Sequence, residues 1–230
     1  HEDLDEGIND AKKSLSVLSK YKDASLTNNQ KITKKIAMFD IENGLKQSEE
    51  FPYHDYPLNQ VRGIHHNIIS FMSDMHPVRT HDEAKDFIKR TDLAKEVYAG
   101  VLDGLKRQAA AGIFAPEFVY AHVINQLNEM INYSFNEHPL YTQFMKKAEL
   151  LEITDEELAS LESKLILSIE NSVTPGFMLL RDFMVSTTDK ANPNHGIWSQ
   201  PNGDEFYKLR IRTYTTTDYS PQKIHDMGIS

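Results

Sequence analysis

The sequence predicts an all-α, non-repetitive, multi-helix fold. Three observations predict it. Apolar residues recur at helical spacing along most of the 230 residues, Thr-x-x-Glu/Gln signatures stand before three of the apolar runs, and no run alternates apolar and polar residues for the length of a strand.

The first helix is read from Leu4, Ile8, Ala11, Leu15 and Leu18. Thr27 and Gln30 then form a capping box before Ile32, Ile36, Phe39 and Ile41. From Phe51 to Asn59 the period breaks, and Pro52 and Pro57 around Tyr53 and Tyr56 predict extended chain. A short apolar helix, Ile64 to Met75, ends at His76-Pro77. Thr80 and Glu83 give a second capping box. It opens a long core helix over 82–110, bent near residue 92, in which Leu102 is expected to be buried. Gly112 ends that run, and Pro116 opens the next helix, Phe118 to Ile131. After a loop from Asn132 to Pro139, Thr154 and Glu157 make a third capping box. The run from Leu158 continues toward Met184, with Pro175 expected to kink it. A Pro/Asn/Gly-rich stretch over 190–203 holds the one tryptophan, Trp198, and is read as an ordered loop with the indole packed inside. Asp204 to about Thr216 reads as helix, and Ser220-Pro221 opens another.

These elements are read as one domain over 1–230, long enough to bury roughly 70% of its unfolded surface without staples. A formal charge of −9 with scattered Lys and Arg excludes a nucleic-acid partner, whose affinity rests on clustered cations. No run approaches the ~18 apolar residues of a membrane span. The absence of cysteine excludes disulfides, thiolate catalysis and cysteine-ligated zinc. The chain begins at His1 without Met or an apolar leader, and its last stretch, His225 to Ser230, stops just after a fresh helix signal. The start is read either as left by a removed leader or as interior to a longer protein, and the end as a truncated continuation.

The ten histidines form no H-E-x-x-H, the spacing that puts two imidazoles on one helix face beside a catalytic Glu. His65 and His66 are adjacent, so they point about 100° apart on a helix and do not grip one ion together. One is expected to be packed and the other solvated; weak adventitious metal is expected at this pair or at His1. No E-x-x-H pair, P-loop, G-x-G-x-x-G or G-x-S-x-G occurs. Gly100 and Gly104 read as a close packing site within a helix.

One constellation remains. On a helix, Tyr207, Arg210, Tyr214 and Thr217 share a face, with Arg212 nearly opposite Arg210. That polar-aromatic face suits an anion or a peptide carboxylate, Arg210 supplying a planar fork and Tyr207 a hydroxyl. The competing reading is structural: Arg210 bridges a carboxylate and the threonines 215–217 end the helix, being poor in its interior.

The stretch from Gly196 to Gly228, GIWSQPNGDEFYKLRIRTYTTTDYSPQKIHDMG, resembles the hallmark segment of a bacterial family known as domain of unknown function 885. Trp198, Pro201, Gly203, Thr215, Thr216 and His225 stand at motif positions. Tyr56 to Gln60 with Gly63 and His76-Pro77, and Gly112-Ile113 through Phe118-Val119, extend the resemblance over most of the chain after about residue 25. The resemblance implies a larger helical protein similar to zinc-dependent metallopeptidases, whose metal motif, H-E-x-x-P-G-H-H, lies downstream of this block. It therefore implies no catalytic residue, no metal ligand and no cofactor within this chain, with zinc and a peptide or small-molecule substrate belonging to the longer protein. It also implies a periplasmic or lipid-anchored location, with the cytoplasm, which the lack of cysteine equally fits, as the alternative. The alternative is a non-catalytic helical binding or structural domain.

Overall fold

A computed structural model describes residues 2–230, with side chains from Asp5 onward. His1 and the Leu4 side chain, both used above, lie outside the described residues. The helices are α1 (Glu2–Lys20), α2 (Asn28–Glu50), α3 (Ile64–Ser70), α4 (His81–Asp92), α5 (Ala94–Ala110), α6 (Glu117–Asn132), α7 (Pro139–Ala148), α8 (Asp155–Ser168), α9 (Thr174–Ser186), α10 (Gly203–Thr215) and α11 (Pro221–Ile229). Among the described residues there is no strand, only one isolated bridge between Pro116 and Asn192. The expected all-α, non-repetitive architecture is what the chain adopts.

The chain falls into two compact units, one of residues 1–55 with 196–230 and one of residues 56–195. The crossing between His195 and Gly196 lies inside the Pro/Asn/Gly-rich stretch. In the first unit α1 and α2 pack as a hairpin, and α10 packs on α2. The Thr27 capping box is complete, with Gln30 N–H donating to the hydroxyl at 3.3 Å and Gln30 Oε1 accepting from Thr27 N–H at 2.9 Å. The core of this unit is small: Phe51, Phe206 and Leu209 are buried and Ile197 packs against them.

The second unit holds the large core, built on Phe87, Tyr98, Phe144, Leu165, Phe177 and their neighbours from α3 to α9. The run predicted as one bent helix is two, α4 and α5, divided at Leu93. The cause is a serine pair on the facing element. Ser172 Oγ donates to the Asp92 carbonyl at 2.5 Å and accepts from Lys95 N–H at 3.0 Å, and Ser168 donates to the Asp92 carboxylate. A side chain inserted into the ladder breaks a helix without proline. The serines sit where α8 runs into α9 through a π turn, Ile169–Val173. Pro175, expected as a kink, follows that turn at the start of α9. Its missing N–H is accommodated where the ladder has already widened. A second π turn, Phe71–Met75, closes α3.

Three expectations are corrected. Thr80 caps α4 through Glu83 N–H at 3.2 Å, but the Glu83 carboxylate turns back to Arg79, whose N–H it accepts at 2.7 Å, so the box is half made. Leu102 is only half-buried, and Leu105 is the residue of that turn sealed in the core. A Cβ placed on Gly100 or Gly104 would meet nothing within 4 Å, so neither glycine is a close packing site. The end of α5 follows prediction: Gly112 takes φ 75°, Ile113 N–H bonds back to Gln108 O at 3.1 Å, and Gly112 N–H to Ala109 O at 3.0 Å, a Schellman closure.

Candidate functional site

The candidate site lies on α10 in the first unit. The helix starts where the chain comes closest to itself. A Cβ on Gly203 would sit 1.9 Å from the Ile197 carbonyl oxygen, so only glycine lets α10 begin against the turn carrying Trp198. Asn202 before it is left-handed at φ 54°. The turn is tied down from below by buried His54, whose Nε2–H donates to Pro201 O at 2.6 Å, while its ring stacks on Phe206 with centroids 4.9 Å apart.

Arg210 projects half-buried from the middle of α10. One Nη donates to Tyr214 Oη at 2.6 Å, and its guanidinium carbon lies 4.9 Å from the Tyr214 ring centroid. Another Nη donates to Gln47 Oε1 at 3.3 Å, and Gln47 Nε2 in turn donates to Asp55 Oδ2 at 2.5 Å. The amide of Gln47 thus stands between a carboxylate and a guanidinium. Among the described residues Arg210 makes no ion pair. Tyr207 is 47% exposed and Tyr214 is 75% exposed, so the face keeps two rings open to solvent.

Arg212 is on the other face and is the structural arginine. It stacks on Phe39 at 5.0 Å, donates to Asn43 Oδ1 at 3.0 Å and pairs with Asp218 at 2.5 Å. The carboxylate bridge considered for Arg210 is therefore made by Arg212. Nothing in the local sequence marks Gln47 or Asp55, because Gln47 meets Arg210 across 163 positions.

Thr217 does not share the α10 face. The helix ends at Thr215, Thr216 turns left-handed at φ 53°, and Thr217 lies beyond it with its hydroxyl 2.8 Å from that of Thr215. The threonines close the helix: Thr215 Oγ1 donates back to Ile211 O at 2.8 Å. His225 is exposed on α11. Trp198 is a further correction. It is 62% exposed, although an interior position was expected. Its ring folds over Gly196, where a Cβ would lie 2.1 Å from Nε1, and it is not among the residues of the small core of this unit.

Among the described residues no group of three or more His, Asp or Glu could hold an ion. His65 is fully buried and His66 half-buried, their rings 4.4 Å apart, so one is packed and the other more accessible. Burial pulls His65 down to about 4, against the opposing bond to Gln126 Oε1 at 3.1 Å.

The profile of a bacterial protein family of unknown function, DUF885, matches residues 1–230. The chain belongs to this family. No curated protein matches it. A solved structure, described as "the putative lipoprotein from Colwellia psychrerythraea", superposes with a TM-score of 0.88 at 22% identity, covering 99% of this chain and 40% of the other. The DUF885 chain thus shares its fold with that protein and spans less than half of its length.

Proposed function

We propose that this DUF885 chain is the N-terminal helical part of a larger zinc-metallopeptidase-like protein and forms one wall of its substrate cleft. Arg210 carries the reading. Its fork is held in place by Gln47 and Tyr214 without an ion-pairing partner among the described residues, on a face with Tyr207 and Tyr214 open. Such a planar, pre-oriented fork takes a carboxylate in two parallel bonds. Catalytic zinc takes three protein ligands and an open position. Those ligands belong to the rest of the larger protein, and this chain alone neither holds catalytic zinc nor cleaves peptides. The greater length of the matched structure supports the larger protein, and its description as a lipoprotein supports a lipid-anchored location outside the cytoplasm.

The test is peptide hydrolysis by the larger protein. Arg210→Lys keeps the charge and loses the fork, so it should lower kcat/KM at least tenfold, nearly as far as Arg210→Ala. Unchanged kcat and KM in both variants would leave Arg210 the structural role that its bonds to Tyr214 and Gln47 also fit. The isolated chain should keep no stoichiometric zinc after dialysis; one tightly held zinc with chelator-sensitive hydrolysis would overturn the division of labour.

A further inference from the structure

We propose that the tip of the α1–α2 hairpin docks on an anionic phospholipid surface, its lysines meeting the headgroup phosphates and Ile32 and Ile36 entering the layer below them. Over the whole chain Lys and Arg are scattered, and the total charge is −9. Residues 11–35 are the exception. They hold seven lysines and a single acid, Asp23, a net +6. Three of the seven have partners: Lys12 pairs with Glu49 at 2.6 Å, Lys13 with Asp10 at 2.8 Å and Lys34 with Asp23 at 3.0 Å. The other four, Lys20, Lys22, Lys31 and Lys35, make no ion pair among the described residues. Lys20 ends α1, Lys22 lies in the turn, and Lys31 and Lys35 stand near the start of α2. The Asp23 carboxyl records how close they come. Its bond from Lys34, with the charges of Lys34, Lys35 and Lys31 added, holds it below the usual carboxylate range.

Charge alone would make this a solvated face, and the isoleucines are what charge leaves unexplained. Ile32 and Ile36 are 57% and 56% exposed, one turn apart on one side of α2, with Lys35 beside them. The helix turns its other side to α1, where Gln30, Thr33, Lys34 and Ala37 line a recess with Leu18 and Tyr21. Tyr21, 53% exposed in the turn, is the kind of ring that settles at the headgroup level of a bilayer. Exposed apolar side chains flanked by lysine are the pattern of helices that lie in a membrane interface. A second copy of the chain would set lysine against lysine. A purely polyanionic partner would use the charges and leave the isoleucines in water. The acids of α2 follow the lysines along the helix. Asp40 and Glu42 come first, and Glu49 and Glu50 lie about 20 Å beyond Lys35, outside the ~8–10 Å over which salt screens a charged surface.

None of these residues belongs to α10, so the proposal does not depend on the cleft. The test is co-sedimentation of the chain with vesicles of equal parts phosphatidylcholine and phosphatidylglycerol, beside vesicles of phosphatidylcholine alone. Binding should be confined to the anionic vesicles and should fall steeply as salt is raised. Lys22→Gln and Lys35→Gln should each weaken it about fivefold. Lys46→Gln removes the same charge near the far end of α2 and should weaken it less than about twofold. A loss there as large as at Lys35 would mean that net charge alone governs binding, and would overturn the proposal. Ile32→Ser combined with Ile36→Ser, both on the exposed side, should weaken binding about tenfold with the thermal midpoint unchanged. If that double variant binds anionic vesicles as the parent chain does, the tip is a plain polyanion site and no lipid layer is entered, which overturns the proposal. A chain that stays in the supernatant with anionic vesicles at low salt overturns it outright.

Discussion

His65 and His138 are imidazoles sealed inside the second unit, and burial pulls each down to about 4. His76 moves in the same direction, again through burial. An unfolded chain protonates these rings near their ordinary value, whereas the folded chain resists until much lower pH. Stability is therefore full above about pH 6.5 and is lost as pH falls from there toward 4, by up to roughly 3 kcal/mol for each of the two deepest rings. Urea midpoints at pH 7.5 and pH 5 should differ clearly; equal midpoints would mean that the rings are not buried as neutral species. The glycines give a second contrast at this scale. Gly203→Ala forces a Cβ into the Ile197 carbonyl and should cost about 1–3 kcal/mol or more. Gly104→Ala meets open space within a helix and should stabilise by up to ~1 kcal/mol. Thermal midpoints moving in the same direction would contradict this geometry.

Among the elements, the α4–α5 break turns on one hydroxyl. Ser172 Oγ serves the Asp92 carbonyl and the Lys95 N–H together, groups that a broken helix leaves without partners. Ser172→Ala leaves both unmet beside a buried core and should cost about 1–3 kcal/mol, with faster amide exchange at Lys95. A loss below about 0.5 kcal/mol with unchanged exchange would show that the break holds itself. The period of the 82–110 run continues through Leu93, so the apolar pattern reads as one helix. The interruption comes from Ser168 and Ser172, more than seventy positions away. The capping boxes behave differently: Thr27 and Thr154 close theirs with residues three positions on, and both are complete.

Across the whole molecule, the two units differ most in how much they bury. The second contains the rings of Phe87, Tyr98, Phe144 and Phe177 and the aliphatics around them, while the first rests on Phe51, Phe206 and Leu209. Apolar burial is the main stabilising term, so the smaller core holds its helices less firmly. Native-state hydrogen exchange should therefore show α10 amides opening at a lower free energy than those of α5 and α9. Equal protection in all three would mean that the small core is not what limits the first unit. The exposed Trp198, Tyr207 and Tyr214 all belong to this unit, which concentrates its large rings on the surface and leaves few for its interior.

The sequence by itself determined the helical class, the helix starts at Thr27, Thr154 and Ser220, the stop at Gly112, and the closure of α10 at the threonines. Each depends on residues within a few positions of one another, where capping bonds and the 3.6 period act. The family was legible too, from the Gly196–Gly228 segment. Tertiary structure alone decided which arginine of α10 is anchored. Arg212 meets Asn43 and Phe39 on α2, and Arg210 meets Gln47, through contacts that no local pattern records. Tertiary structure also decided that Trp198 stays outside. Whether a large ring is buried depends on the neighbours that the fold brings to it, and the first unit gathers its small core from Phe51, Phe206 and Leu209, with His54 against both phenylalanines, rather than around the indole.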